Sequence, residues 1–466
     1  MTSDITTLGQ LISSGYKSKT IKEEMRDNLI TYLKTGDELF PGIVGFEESV
    51  IPQLENAILA GHDTILLGER GQAKSRLLRQ LTYLLDEKLP VIDGCPINDD
   101  PLHPICHDCL AKISVEGDDL QISWLYRDER FVEKLATPDV AVSDLIGEID
   151  PIKIAEGRHL ADLSAIHFGM IPRAHRSIFC INELPDLSER IQVSLFNLLQ
   201  ERDIQIKGYL IRLPLDVHIV ATANPEDYTN RGRIITPLKD RYGAQIRTHY
   251  PRTVSEEMDI AIQESSSPAA IEESVIFPKF MEDIVGNITH LARRNPEINQ
   301  RSGVSLRLTI ANYEALTAQA YRRGTKTGTL SAPRISDLPY IFPTTTGKLE
   351  FETVEDDREV PIITSIINRA VANTYASLSE NEVFEKLVNV FDEQEYTLDT
   401  GENIEDTDYL QLIDKVPGLQ EQLTRISGTD EIACVISALE FILEGLHLTK
   451  KLNKTQKDGL NSYSNL

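Results

Sequence analysis

The chain has 466 residues, of which 41% are apolar and 26% charged. At about 150 residues per domain this suits a globular protein of two to four domains and excludes a disordered one. Asp and Glu number 73 against 47 Lys and Arg, a formal net charge of −26, and so negative a surface argues against nucleic acid as a partner. No run approaches the roughly 18 apolar residues of a membrane span, Met1–Tyr16 carries no signal-peptide pattern, and five cysteines make no disulfide framework; the expected location is cytoplasmic.

Residues 1–36 read as a short helical leader, with Ile21, Met25, Leu29 and Leu33 at fourfold spacing. Phe40-Pro41-Gly42-Ile43-Val44-Gly45 is a turn-rich start to a new unit. An amphipathic helix over 46–60 and a buried strand at Thr64–Leu67 follow. Strand and helix signals then alternate to about Tyr250, the pattern of an α/β domain over 37–250 whose parallel sheet is covered by helices. Residues 253–325 read mostly as helix, and Thr325–Lys348, rich in Gly, Pro, Ser and Thr, as a loop or linker. Segments 360–396 and 409–452 are helical again, and the last dozen residues read as frayed. From Phe351 to Leu410, acidic side chains outnumber basic ones sixteen to three. This region is either a solvated surface with an acidic loop at Asp399–Asp408 or a docking surface for a basic partner.

The strand at 64–67 runs into Gly68-Glu69-Arg70-Gly71-Gln72-Ala73-Lys74-Ser75 and then a helix, Arg76–Leu85. A Gly-rich turn between strand and helix presents backbone N–H groups to phosphate oxygens. Lys74 is placed to bridge the β- and γ-phosphates and Ser75 to ligate Mg²⁺. Ala73 stands where this motif usually has glycine, and is tolerable there with a negative φ. A second apolar strand, Ser177–Ile181, ends in Asn182-Glu183. Asn182 takes the place of a magnesium-side acid and can bond a magnesium-bound water without adding charge, while Glu183 is the candidate general base. A third strand, His218–Ala223, ends in Asn224-Pro225, an amide able to hold the attacking water. Arg241 ends the helix that starts at Pro237, either as a functional cation or as the partner of Asp240.

Between Cys95 and Cys109 lie three of the five cysteines together with His103 and His107. Cys106-x-x-Cys109 has the spacing of a zinc half-site, which Cys95 with His103 or His107 would complete as a structural site; the other reading is a loop of free thiols. Cys180 and Cys434 sit in apolar runs and read as core.

Taken in this order and spacing, the phosphate loop, Asn182-Glu183, Ala223-Asn224-Pro225 and Leu238-Lys239-Asp240-Arg241 resemble the AAA+ ATPases, specifically the MoxR and magnesium-chelatase subunit I branch, over about residues 37–325. The resemblance implies a P-loop AAA+ domain, a helical lid over 251–325, and a linker and acidic helical region over 326–466. It places the sensor 1 role on Asn224, a trans-acting arginine finger on Arg241, the sensor 2 arginine on Arg307 and the adenine-lining segment on Ile43, Val44 and Gly45. It also implies a helix 2 insert within 137–176 and a hairpin over Asp203–Leu213. The implied function is an Mg²⁺-dependent ATPase ring, a hexamer, that remodels or activates a partner carrying a von Willebrand A domain. A nucleotide-dependent scaffold with poor hydrolysis is the alternative, because Asn182 lacks charge, and a DNA-acting ATPase is a lesser one that the net charge opposes.

Overall fold

The computed structural model describes residues 5–149, 166–203, 213–224, 232–300, 302–352, 358–378, 382–393, 395–457 and 460–465. The chain divides into two compact units, Met1–His249 and Tyr250–Leu466. No described helix is long and apolar enough to cross a membrane.

The first unit is built on strands β1 (Thr64–Leu67), β2 (Lys88–Ile92), β3 (Ile122–Tyr126), β4 (Phe131–Leu135), β5 (Gly147–Ile149), β6 (Ile166–Phe168), β7 (Ser177–Asn182), β8 (Val217–Ala223) and β9 (Ala244–Arg247). Five of them form one parallel sheet in the order β4-β7-β8-β1-β9, as the alternating signals predict. Both faces are covered, so its central strands β7 and β8 are buried at every position instead of every second one. Phe179, Ile181, Ile219, Ala221 and Ile65 enter one apolar cluster. Their chain neighbours Ile178, Cys180, Val220 and Leu66 enter the other. The pairs β2–β3 and β5–β6 are antiparallel and lie outside this sheet.

Helices α1 (Leu8–Ser13), α2 (Ile21–Thr35) and α3 (Val50–Leu59) precede β1, and α4 (Lys74–Gln80) follows it, continuing as a 3₁₀ turn over Leu81–Leu84. The expected leader is therefore two helices. In α2 the Thr20 side chain and Glu23 cap each other's backbone N–H groups, and Ile21, Met25 and Leu29 are buried while Leu33 is exposed. The same helix turns Glu24 into the interior, where both its oxygens accept from Arg130 at 2.6 Å; Arg130 also donates to Arg176 O. Within the expected insert, residues 150–165 lie outside the described ones, as do 204–212 of the expected hairpin.

The second unit is mostly helical and has its own core. Its helices include Val254–Glu264, Lys279–Ala292, Arg307–Thr327, Glu359–Ala376 and Ile432–Leu448. Two expectations fail in this unit. Within Thr325–Lys348, a 3₁₀ helix over Ile335–Ile341 and a helix over Phe342–Thr346 replace the linker. They form because Ile335, Leu338 and Ile341 are buried and Arg323 pairs with Asp337 in the interior. The C-terminal segment is not frayed either: β11 (Asn453–Lys457) and β12 (Leu460–Ser464) form a hairpin, and β12 also pairs with β10 (Leu398–Thr400). The acidic loop is partly neutralised. Glu402 is held down to about 2, first by Lys326, then by Tyr340 and Arg322, and Asp406 accepts from buried Arg334.

Two buried histidines make the first unit acid-sensitive. Burial drives His218 on β8 down to about 4, against the pull of Asp63 and with Lys22 and Arg202 nearby; among the described residues neither of its ring nitrogens has a hydrogen-bond partner. Burial, then Arg176, drives His175 down to about 3. A histidine in the unfolded chain titrates near ~6.5. The stability from keeping these rings neutral is thus complete above that pH and is lost as the pH falls toward the folded values, where only the unfolded chain takes up protons. The single tryptophan, Trp124, reports on this unit. Its urea midpoint is expected to fall from pH 6.5 to pH 4, and His218→Leu to flatten the fall by about 1.4 kcal/mol per pH unit. Equal slopes in the two proteins would contradict the burial argument.

Candidate functional site

The carboxyl ends of β7, β8 and β1, neighbours in the sheet, bring three segments distant in sequence to one edge, where open α/β sheets bind ligands. The loop after β1 is tightly built. Gly68 N–H donates to Ala223 O, and a Cβ on Gly68 would overlap Thr248 Oγ1 and Gln72 Oε1, so only glycine fits. The Thr248 hydroxyl donates to Gln72 Oε1 at 2.7 Å and fixes that side chain inside the loop. Gly71 takes φ +76°, as a turn glycine can. Ala73 does not keep the negative φ expected of it: it lies at φ +49°, ψ +14°. The loop imposes a left-handed turn before α4 whichever residue is there, and alanine bears the strain.

Lys74 is buried, and its ammonium donates to Gly68 O at 2.5 Å, Glu69 O at 2.7 Å and Asn224 Oδ1 at 2.8 Å. Asn224 Nδ2 donates in turn to Glu183 Oε2 at 2.6 Å. The three residues read as phosphate-binding cation, water-holding amide and base are thus one hydrogen-bonded chain. Glu183 sits at φ +57°, another left-handed residue without glycine's freedom, with its N–H bonded to Thr222 Oγ1 at 3.1 Å. Ser75 Oγ donates to Asn182 Oδ1 at 3.1 Å, so the residues expected to face Mg²⁺ face each other.

Three contributors were not singled out in the sequence. Thr222 donates to Asn182 Oδ1 at 3.2 Å while receiving Glu183 N–H, which locks the end of β7 to β8. Glu133 on β4 accepts from Asn182 Nδ2 and is gripped by Arg79 of α4 at 2.8 and 3.0 Å. A carboxylate therefore stands beside the amide that replaced one, but it comes from the adjacent strand. Only the pairing of β4 with β7, in which Glu133 lies opposite Cys180, reveals it.

The remaining site residues are more scattered. Arg241 follows the short helix Thr236–Lys239 and donates to Pro237 O at 2.7 Å. Its guanidinium lies 4.5 Å from the Phe196 ring, and its Nε is buried without a partner among the described residues. The Asp240 pairing is not formed. Arg307 opens the helix Arg307–Thr327 in the second unit and is exposed, a cation at the helix end that disfavours one. Ile43 is core, packed with Leu66 and Leu77, while Val44 and Gly45 are half-buried. Pro225 lies outside the described residues. Cys95, Cys106 and Cys109 do converge, but the fourth group beside them is Asp99; His103 and His107, expected as ligands, are exposed and lie outside the group.

Because Ala73 pays a left-handed cost that glycine avoids, Ala73→Gly is expected to stabilise the first unit by about 0.5–1 kcal/mol after the added freedom of the unfolded chain. Urea unfolding followed by Trp124 fluorescence measures this, and a lowered midpoint would refute the strain.

Residues 120–242 match the family model of the AAA domain, dynein-related subfamily. The chain is 29% identical over 226 residues to a magnesium-chelatase subunit ChlI homolog of Methanocaldococcus jannaschii, covering 47% of this chain and 57% of that protein. It is 28% identical over 221 residues to the magnesium-chelatase subunit ChlI of Guillardia theta, covering 45% and 57%. The chain thus spans somewhat over half the length of these curated relatives. Among solved structures, a complex of magnesium-chelatase subunits BchI and BchD matches with 21% identity and a TM-score of 0.37, over 70% of this chain and 98% of that one. Residues 120–242 thus match an AAA domain, and the chain is similar to magnesium-chelatase subunits of the ChlI type, findings that support an AAA+ ATPase of the MoxR and magnesium-chelatase-like branch.

Proposed function

We propose that the chain binds and hydrolyses ATP as a ring-forming motor that remodels or activates a partner protein. The observation that carries this reading is the chain of contacts Lys74–Asn224–Glu183 at the tips of β1, β8 and β7. The Gly68–Ser75 loop offers its backbone N–H groups to the phosphates, and Lys74 exchanges Gly68 O, Glu69 O and Asn224 Oδ1 for phosphate oxygens. That exchange releases the Asn224 carbonyl oxygen to hold a water, and Glu183 accepts the proton of that water as it attacks.

Mg²⁺ would be held by the Ser75 hydroxyl and, through a bound water, by the Asn182 amide oxygen, two oxygens 3.1 Å apart with the Glu133 carboxylate behind the amide; there it would neutralise phosphate charge. Arg241, bound to one carbonyl and with its Nε unpartnered among the described residues, is assigned to the γ-phosphate of a neighbouring subunit, which requires a ring, and a hexamer is the form expected. The partner is proposed to carry a von Willebrand A domain, in metal insertion or in maturation of a complex.

A second reading is a nucleotide-held scaffold with little turnover. It is favoured by Asn182, an uncharged side chain where hydrolysis uses an acid, beside a carboxylate already shared with Arg79. Glu183→Gln distinguishes the two. On the motor reading it lowers Mg²⁺-dependent phosphate release by about 10²–10⁴-fold, leaves ATP binding intact, and both proteins assemble with nucleotide in solution-mass measurements. If wild type and variant bind ATP alike and neither turns it over with candidate partners present, the motor is refuted.

A further inference from the structure

We propose that Cys95, Asp99, Cys106 and Cys109 form a structural zinc site that staples the loop between β2 and the helix α5 (His107–Glu116) to the first unit. The ligand atoms of these four residues all lie within 4.8 Å of one another. Tetrahedral zinc bound by thiolates at about 2.3 Å holds its ligand atoms roughly 3.8 Å apart, so the group needs to contract by no more than about 1 Å. Cys106 and Cys109 are buried and Cys95 is half-buried; all three are free thiols.

The carboxylate indicates that the cluster is more than a meeting of thiols. Asp99 has 0% exposure and is aimed by its own backbone: its oxygens accept the N–H groups of Asp100 and Ile105 at 3.0 Å and of Cys106 at 2.8 Å. Among the described residues no Lys or Arg nitrogen lies within 4.0 Å of it, and the basic group that does reach it is His175 Nε2 at 4.0 Å. A buried acid without a cation is costly, and a divalent ion held by that oxygen and by the three sulfurs, which bind as thiolates and release their protons to solvent, sets a cation beside it. Soft sulfur ligands select zinc over magnesium or calcium. Four protein ligands leave no open position, so the ion is structural and not catalytic.

The site also explains why a loop without regular structure is so well fixed. Ile92 N–H donates to Asp99 O, Asp93 N–H to Gln121 O on the neighbouring strand segment, and Asn98 Nδ2 to Arg173 O just ahead of β7. Zinc here closes a clamp between the ends of β2 and β7, the strand that delivers Asn182 and Glu183. This proposal is independent of whether the chain hydrolyses ATP.

The test is metal content of the full chain, purified after growth with zinc and gel-filtered, by inductively coupled plasma mass spectrometry. Zinc release on thiol modification is followed with a colorimetric chelator. About one zinc per chain is expected. Cys109→Ser and Asp99→Asn are expected to lower zinc content at least tenfold or to raise zinc dissociation by that factor, whereas His103→Ala and His107→Ala keep it. Intact mass of the wild type reads the competing chemistry: a disulfide between Cys106 and Cys109, two hydrogens lighter and free of zinc, would overturn the proposal. So would iron in place of zinc, a wild type without metal after reconstitution with zinc, or loss of zinc in His103→Ala with retention in Asp99→Asn. Because the wild type decides the presence of the ion, misfolding of a cysteine variant does not shelter the idea.

Discussion

The ammonium of Lys74 is buried and divides its protons among Gly68 O, Glu69 O and Asn224 Oδ1, so the loop after β1 and the tip of β8 are joined through one charge. A cation out of water keeps its charge only while acceptors surround it, and here those acceptors come from two separate strand ends. The sheet must therefore place β1 and β8 side by side in the observed register, Leu67 opposite Ala223. From Asn224 the constraint passes to Glu183 and from there, through Thr222, to Asn182 and Ser75. The apolar clusters on the two faces of the sheet serve to hold these polar tips in line.

Contiguous features of this edge were legible in the sequence. The loop 68–75, the strand ending in Asn182-Glu183 and the strand ending in Asn224 are each local patterns, and their order fixes a parallel α/β unit. What escaped depends on lateral neighbours. Glu133 meets Asn182 because β4 pairs with β7, and Thr222 meets it because β8 does. Asp99 joins the thiols because its loop folds back on the backbone of Ile105 and Cys106, whereas the two histidines that looked suitable by spacing turn to solvent. The sign of φ at Ala73 escaped for a different reason: the motif's geometry outweighed the preference of the residue occupying it.

The second unit was harder to read because its polar interior looks like surface in one dimension. Ile432–Leu448 is buried nearly all round, yet it carries Glu440 and Glu444. Glu440 accepts from Ser336 N–H at 2.9 Å and from the Tyr409 hydroxyl at 2.7 Å, and Glu444 accepts from Lys454 at 2.8 Å and from the Tyr463 hydroxyl. Each carboxylate thereby recruits a segment that composition assigned to linker or frayed end, through Ser336 and Tyr463. A Gly- and Ser-rich stretch with several Pro is folded here because buried acids need its N–H and O–H groups.

The small sheet of this unit has a consequence for biosynthesis. Its middle strand, Leu460–Ser464, is the last of the three to be made, and Leu398–Thr400 has no partner in the sheet except that strand. During translation the earlier strand emerges with both edges unmet by the other strands of this sheet while more than fifty further residues are added. Contacts of such long sequence separation form late, so the interval between the two strands is when the nascent chain presents an open strand edge to chaperones and to other copies of itself.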